Sequence, residues 1–363
     1  MNDFWLVGGR LVTPRGIMTG AVRIVQGRIA EIRRAAPKGA RAISVRGAYV
    51  APGFIDLHVW GDPGVVSQDA AEGGATGFLT TLGPEPPAQL LRHVAQRAAA
   101  RALPGAERLG LHLEGPFLNP VRGGVLPRRA MRRPSVVELA RLAKAARGSL
   151  RLITLAPEQP GGFEAIRWCH QPRVVASLGH SDADYADADE AAAAGACAVT
   201  HIFNGMRLLH HRAPSLVDAA LTDPRLTAMV IADGVHVSGS ALRLLLRAKR
   251  PERVALVTDS VRREQRAWKL RLKQGAFAAP GGRLAGSALT MMRAVRNIIR
   301  LGGASLEEAI RMASETPARL IGVSRARGTL ERGKRADLVV FDGEYRVWLT
   351  MVNGRVVYQR EKR

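Results

Sequence analysis

RLGLHLEG, residues 108–115, is a short apolar segment that reaches a glutamate, Glu114, at its end. Four other segments have the same form and reach a histidine or an aspartate: VVASLGH (174–180), AVTHIFN (198–204), AMVIADGVH (228–236) and RVALVTD (253–259). Their lengths and their glycine or polar boundaries predict buried β-strands. Residues able to bind a metal or move a proton therefore lie at or near five strand ends: Glu114, His180, His201, His236 and Asp259.

Counting all strands of this kind in the middle of the chain predicts the architecture. There are eight: GFIDLHV (53–59), GFLTTLG (77–83), RLGLHLEG, RLITLAP (151–157), VVASLGH, AVTHIFN, TAMVIAD (227–233) and RVALVTD. Helical stretches such as 87–102 and 135–148 lie between them, as parallel strands require. Eight successive strand–helix units predict an α/β fold, a closed (β/α)8 TIM-type barrel with its active site at the carboxyl ends of the strands.

The two ends of the chain have a sequence pattern different from that of the middle region. Residues 1–50 contain extended segments separated by glycine-containing turns, which predict a small β meander. Residues 328–360 repeat this pattern and include a strong hairpin signal at Asn353-Gly354. We expect the two ends to form one small β-sandwich domain. The predicted division is residues 1–51 and 328–363 for that domain and 52–327 for the barrel.

Composition narrows the classes of function. The chain has 363 residues, of which 47% are hydrophobic, and no apolar run approaches the roughly 18 residues of a membrane span. The N-terminus lacks the layout of a signal peptide, so a cytoplasmic protein is expected. Lys+Arg exceed Asp+Glu by 54 to 31, a net charge of +23. Nucleic-acid binding rests on this charge alone, because the basic residues are scattered and aromatic residues make up 5%. We expect neither a nucleic-acid nor a membrane partner.

The candidate residues suit metal-dependent hydrolysis. Glu114, His180 and His201 are a carboxylate and two imidazoles, a set that suits one catalytic divalent ion, zinc first, although iron, cobalt and manganese accept the same donors. Asp259 would act as general base for metal-bound water and then as acid for the leaving amine. His236 would polarise the scissile carbonyl. Each residue taken alone also fits a satisfied polar group at a strand end, and Asp259 also fits a loop cap.

The same residues lie within longer strings that resemble the N-acetylglucosamine-6-phosphate deacetylase family of the amidohydrolase superfamily. The matching strings are APGFIDLHVWG (51–61), LHLEGPFLNP (111–120), TLAPE (154–158), GHSDA (179–183), THIFNGM (200–206), HHRAP (210–214), ADGVHV (232–237), LVTDS (256–260) and AGSALTMMRAVRN (285–297). A closing segment, 314–342, matches the superfamily's usual end. The resemblance covers nearly the whole chain.

This resemblance implies a barrel with a split β domain and hydrolysis of the N-acetyl group of an amino-sugar phosphate. It implies the same roles for the metal ligands, for His236 and for Asp259. It adds Asn204 and Gly205 as a pair that meets the substrate, with Gly205 in place of the family's alanine, a change that we expect to be mild. Arg212 matches an arginine that contacts the phosphate, usually in the neighbouring subunit's site, so a homodimer is implied.

The sequence departs from the family pattern at four places. His58 is followed by Val59 and Trp60 where the superfamily often has a second histidine, so we expect one metal, with His58 a structural neighbour. Leu126 replaces a histidine that touches substrate. The loop after Asp259 carries Arg262, Arg263, Glu264 and Arg266 in place of small residues, and Met292 replaces an acidic residue.

These departures disturb the pocket and leave the metal chemistry intact. Alternative substrates therefore remain open: another N-acyl sugar such as N-acetylgalactosamine-6-phosphate, an N-acyl amino acid or a cyclic amide. His112, on the same strand as Glu114, is expected to be a buried strand residue.

Overall fold

The computed structural model describes residues 3–99, 103–262, 264 and 266–361. The first strands along the chain are β1 Asp3–Thr13, β2 Gly16–Val25, β3 Arg28–Arg33, β4 Ala42–Ser44 and β5 Tyr49–Pro52. β1, β2 and β3 form the antiparallel meander that the sequence predicts. The meander ends there, because β4 and β5 both pair with β1 in parallel.

The middle of the chain forms the barrel. Its strands are β6 Phe54–Val59, β7 Ala75–Leu82, β8 Glu107–Glu114, β9 Leu150–Leu155, β10 Val175–Leu178, β11 Ala198–Val199, β12 Thr227–Ile231 and β13 Val254–Val257. Each pairs in parallel with the next, from β6 through to β13. Every one of the eight predicted strands is present, and these strands are almost entirely buried, as a parallel sheet covered on both faces requires.

Hydrogen bonds beyond the last strand bring the two edges of the barrel together. The Asp259 amide donates to the His58 carbonyl at 2.8 Å, and the Trp60 amide donates to the Ser260 carbonyl at 3.0 Å. The buried carboxylate of Asp56 accepts from the amide and the hydroxyl of Thr258. These contacts join β6 to β13, so the barrel is nearly closed.

Helices connect the strands and cover the barrel. They are α1 Pro63–Glu72, α2 Pro87–Ala98, α3 Val136–Ala145, α4 Gly162–His170, α5 Tyr185–Ala193, α6 Leu216–Thr222 and α7 Gly239–Ala248, followed after β13 by α8 Met291–Asn297, α9 Leu306–Ala313 and α10 Glu315–Leu320. The predicted helix 135–148 appears as α3, which begins after the side-chain cap of Ser135. The predicted helix 87–102 appears as α2, and its residues 100–102 lie outside the described part of the chain.

Two further groups of strands complete the fold. The loop after β13 forms a small antiparallel sheet, β14 Arg271–Lys273, β15 Ala276–Ala278 and β16 Leu284–Ser287, which the sequence analysis did not predict. The chain then ends in β17 Leu338–Phe341, β18 Val347–Val352 and β19 Arg355–Gln359. β18 and β19 form the predicted hairpin, with Asn353 and Gly354 both at positive φ.

The two ends of the chain share one sheet. β17 pairs antiparallel with β5, so the order is β19-β18-β17-β5-β1-β2-β3, with β4 on β1. Buried side chains from both ends, among them Leu6, Val22, Leu338 and Met351, form an apolar cluster separate from the barrel core. This is the small β domain that the sequence predicts. Among the described residues, no helix has the length and apolar character needed to cross a bilayer.

Candidate metal and hydrolytic site

The chain turns in the same way at three of the five predicted site residues. Glu114 is the last residue of β8, whereas His180, His201 and Asp259 each lie two residues beyond a strand, with φ of 47°, 30° and 47°. A left-handed backbone is uncommon for residues other than glycine and concentrates at functional sites. The turn at His201 also shortens β11, which ends at Val199 although the sequence pattern extended the strand to residue 204.

These turns bring three side chains to one point. Glu114 Oε1 lies 3.0 Å from His180 Nε2 and 2.9 Å from His201 Nε2, and the two Nε2 atoms are 3.2 Å apart. All three side chains are buried. The structure therefore brings together the three residues that the sequence offers as metal ligands.

The tautomer of His180 makes these atoms suitable for a cation. His180 Nδ1 lies 2.9 Å from the Arg122 carbonyl, which can only accept, so Nδ1 carries the hydrogen of the neutral ring and Nε2 presents a lone pair. Metal-binding histidines are commonly held in this way by a backbone carbonyl. Because a carboxylate oxygen and two imidazole nitrogens converge in a buried space, the residues fit a divalent ion.

Electrostatics favours the charged carboxylate. Burial opposes ionisation of Glu114, but its histidine neighbours, His58 foremost, hold the pKa of the carboxyl well below its usual range. Burial likewise opposes the charged form of His58, but Glu114 and Asp259 outweigh it and raise the pKa of the imidazole to about 9. Burial and the neighbouring His180 lower the pKa of His201. Burial opposes the charged form of His180, but Glu114 outweighs it and raises the pKa of that imidazole. A deprotonated carboxylate and a neutral imidazole are the forms that bind metal, so a metal ion would compete with a proton at His180.

His58 is closer to the chemistry than the sequence analysis expected. Its fully buried ring places Nε2 3.2 Å from Glu114 Oε2 and 3.3 Å from Asp259 Oδ1. His58, Glu114 and Asp259 thus form a second group with the spacing of metal ligands. The expectation of a single metal, with His58 as a structural neighbour, stays a prediction.

Trp60 holds the carboxylate of Asp259. The indole Nε1 donates to Asp259 Oδ1 at 3.0 Å, and the ring of Trp60 is almost fully buried. Sequence analysis marked Trp60 only as a departure from the superfamily pattern. The contact was not predictable from the sequence, because the two residues are 199 positions apart.

His236 is held by a residue that sequence analysis did not single out. Asp233 Oδ2 lies 2.6 Å from His236 Nδ1, and Asp233 Oδ1 accepts from the backbone amides of Val235 and His236. Burial opposes ionisation of Asp233, but His236 and the amides hold the pKa of its carboxyl below its usual value. The A-D-G-V-H segment carried the signal, since aspartate followed by glycine favours a turn in which the side chain accepts from nearby amides.

The site opens into a cavity of about 350 Å³. Glu114, His180, His201, His236 and Asp259 all line it, as do Asn204 and Gly205. The side-chain amide of Asn204 donates to the backbone carbonyls of His201 and Ile202. Seven predicted site residues therefore share one cavity.

Glycine at position 205 matters more than the sequence analysis expected. Gly205 has a φ of +64°, and a Cβ built there would lie 2.9 Å from His180 Nδ1 and 3.3 Å from the Arg122 carbonyl. A methyl group would press on the ring of a candidate ligand. The difference from the family's alanine is thus not mild in this backbone.

Two other predicted residues lie outside the cavity. Arg212 is exposed on a loop, where Nη1 lies 2.8 Å from the Nε2 atom of His211. The structure does not bring it to the site of its own chain, so its reach into a neighbouring subunit stays a prediction. His112 is fully buried between the Leu57 carbonyl and the Thr154 hydroxyl, as expected of a strand residue. Of the arginines after Asp259, Arg263 lies outside the described residues.

The model of the amidohydrolase family matches residues 49–357, which is most of the chain. This chain belongs to the amidohydrolase family. It is an enzyme of the class that hydrolyses amide C–N bonds, in a family that depends on metal.

Two relatives that are similar in sequence to this chain are amino-sugar-phosphate deacetylases. An N-acetylglucosamine-6-phosphate deacetylase of Vibrio furnissii is 36% identical over 85% of this chain and 82% of its own length. An N-acetylgalactosamine-6-phosphate deacetylase of Escherichia coli O157:H7 is also 36% identical, over 96% of this chain and 97% of its own.

A solved structure of a deacetylase has a similar fold. It is an Asp→Ala variant of the N-acetyl-D-glucosamine-6-phosphate deacetylase of Mycobacterium smegmatis, in complex with N-acetyl-D-glucosamine-6-phosphate. It matches with a TM-score of 0.90 at 30% identity, over 99% of this chain and 100% of that chain.

Proposed function

We propose that this enzyme removes the N-acetyl group of N-acetylglucosamine-6-phosphate, releasing acetate and glucosamine-6-phosphate. The observation that carries the proposal is the convergence of Glu114, His180 and His201 beside Asp259 and His236 in one cavity. The names of the relatives supply the substrate class. N-acetylgalactosamine-6-phosphate is a second candidate, because one relative of nearly full coverage acts on it.

Glu114, His180 and His201 would hold one divalent ion, for which we propose zinc, while iron, cobalt or manganese would suit the same donors. When bound, such an ion lowers the pKa of water and polarises a carbonyl. The carbonyl held on His180 Nδ1 keeps the ring oriented for this role.

Asp259 is the proposed proton carrier. Its carboxylate takes a proton from the attacking water and gives a proton to the leaving nitrogen. Trp60 and the Asp259 backbone hold the group in place, since Nε1 of the indole donates to Oδ1 and the Asp259 amide donates to the His58 carbonyl. His236 Nδ1 donates to Asp233, so His236 would donate from Nε2 to the carbonyl oxygen in its protonated form, as charge develops there.

The sugar phosphate is proposed to meet Asn204 and Gly205 in the same chain. Arg212, which lies outside its own cavity, would contact the phosphate of a partner's site in a homodimer, with its planar fork of donors matching phosphate oxygens. We also propose that the domains divide at residues 51/52 and 327/328 and that the protein is cytoplasmic.

Acetate release tests the proposal. Purified protein loaded with zinc would be given N-acetylglucosamine-6-phosphate, N-acetylgalactosamine-6-phosphate and the two sugars without phosphate. Release from either phosphate, at least tenfold faster than from its unphosphorylated form, is the expected result. Release only from N-acyl amino acids or cyclic amides, run in parallel, would contradict it.

A further inference from the structure

One side of the cavity is an apolar surface that comes from three separate loops. Trp60 follows β6, Leu126 follows β8, and Val261, Trp268 and Phe277 follow β13; these five residues are called the apolar wall. The rings of Trp60 and Trp268 meet edge to face with centroids 5.1 Å apart. All of them except Phe277 line the cavity that contains the site.

The apolar wall joins three of the departures from the family pattern. Trp60 lies where a histidine is often found, Leu126 replaces a histidine, and Trp268 belongs to the altered loop after Asp259. These positions are far apart in sequence but meet in one cluster. Three changes that produce one continuous surface indicate a single change in what the cavity receives.

The surface offers little to a polar group. Only the two indoles of the wall carry a side-chain N–H, and that of Trp60 already donates to Asp259 Oδ1, while Leu126, Val261 and Phe277 have no polar side-chain atom. A substrate hydroxyl pressed against the wall would lose water without gaining a partner, which costs about tenfold to a hundredfold in affinity. The wall therefore suits an apolar part of a substrate.

The order of the strands indicates which part of the substrate would face the wall. In an eight-stranded barrel β6 lies beside β7 and β13, whereas β10 and β11 lie across the mouth. Gly205, proposed to meet the sugar phosphate, packs against His180 on that far side. The hydrogen bond from Trp60 places the wall next to Asp259, and so next to the scissile amide. Next to the scissile bond of an N-acyl amino-sugar phosphate, the acyl group is the part that has neither hydroxyl nor charge beyond the amide.

We propose that the apolar wall binds the acyl group of the substrate and that the enzyme prefers N-acyl groups longer than acetyl. This inference rests on the proposed function and changes only the acyl group. The amide C–N bond breaks, the oxygen of water goes to the acyl carbon to give a carboxylate, and the nitrogen leaves as the amine with the proton. Trp60 and Trp268 also border a second cavity of about 690 Å³.

A series of N-acyl glucosamine-6-phosphates tests this. The acetyl, propanoyl and butanoyl compounds would be given to the metal-loaded enzyme, and amine release would be followed to obtain kcat/KM. We expect kcat/KM to rise about threefold to fourfold with each added methylene, the gain from burying one such group. A kcat/KM for butanoyl equal to or below that for acetyl would overturn the inference and leave the proposed function standing. Release from no member of the series would overturn both.

Variants connect the preference to the wall. Trp268→Ala and Leu126→Ala should each lower the ratio of butanoyl to acetyl kcat/KM from about tenfold to about threefold or less. The matched control is Leu272→Ala, a leucine that is 61% exposed on the same loop and lies outside the wall. The control should keep the wild-type ratio. A wild-type ratio in both wall variants would overturn the inference, and the use of two variants keeps the test valid if one of them folds poorly.

Discussion

One side of the barrel mouth carries Glu114, His180 and His201, at or near the ends of β8, β10 and β11, whereas the other side carries the apolar wall, which comes from the loops after β6, β8 and β13. The first side is buried, ionisable and matches the family pattern. The second side is apolar and departs from it. The difference teaches that one barrel can keep the groups that break an amide while it changes the groups that choose the substrate. The following changes test that separation, from the largest expected effect to the smallest.

Loss of a ligand should abolish activity. Glu114→Gln removes the charge on which two imidazole nitrogens converge, so we expect loss of bound metal and a fall of about a thousandfold or more in kcat/KM. Elemental analysis and acetate release would measure both. Glu164→Gln, an exposed glutamate of α4, is the control and should change neither. Full metal content and turnover in Glu114→Gln would contradict the ligand assignment.

Loss of the proton carrier should leave the metal in place. Asp259→Asn keeps an oxygen that can accept from Trp60 but cannot take a proton, so kcat should fall by about a hundredfold to ten-thousandfold. Metal content measured on the same sample should equal that of the wild type. A variant that lost its metal as well would make Asp259 a ligand, in the group it forms with His58 and Glu114.

Trp60 belongs to both sides of the mouth, and one substitution separates its two contacts. Trp60→Phe removes the N–H that donates to Asp259 but keeps an aromatic ring in the apolar wall. We expect kcat to fall about tenfold, the cost of losing a hydrogen bond to a charged group, with the acyl preference unchanged. An unchanged kcat combined with a lost preference would reverse the assignment.

A change at the other end of the barrel should affect stability alone. Lys249 precedes β13, and its buried ammonium donates to the Asp223 carbonyl at 2.7 Å. Burial lowers its pKa to about 8, despite the opposing charge of Asp223. The cost of burying the charge is therefore present below pH 8 and is relieved as pH rises from about 8 towards the ordinary lysine value near 10.5.

The variant Lys249→Met removes this titration. Compared with the variant, the wild type should gain on the order of 1 kcal/mol in free energy of unfolding between pH 7 and pH 10. Urea unfolding at the two pH values measures the difference, and acetate release should be equal in both proteins. A difference in stability that does not change with pH would show that Lys249 has its ordinary pKa.

Much of the fold could be predicted because the barrel strands are unbroken apolar runs. All eight strands follow from that pattern, and the pairing of the chain ends follows from the extended segments and glycine-containing turns that the two ends share. The parallel pairing of β4 and β5 with β1 could not, because the register of short strands depends on distant partners. The sheet β14–β16 was missed since its strands have only three or four residues each.

The candidate site also has features that the sequence could predict and features that it could not. The residues at the strand ends were visible because they interrupt apolar segments with ionisable groups. The contacts of Trp60 with Asp259 and of His58 with Glu114 were not visible, since they cross the barrel between residues 199 and 56 positions apart. The left-handed turns at His180, His201 and Asp259 also lacked a local signal, because none of these residues is glycine.

The separation of chemistry from substrate choice is tested most directly by one ratio, the kcat/KM for butanoyl over acetyl glucosamine-6-phosphate. It should be measured in the wild type, in Asp259→Asn and in Trp268→Ala. We predict that Asp259→Asn lowers kcat/KM by the same factor for the butanoyl and the acetyl compound and so keeps the ratio. Trp268→Ala should lower the ratio. A ratio that changes in Asp259→Asn and is constant in Trp268→Ala would contradict the account.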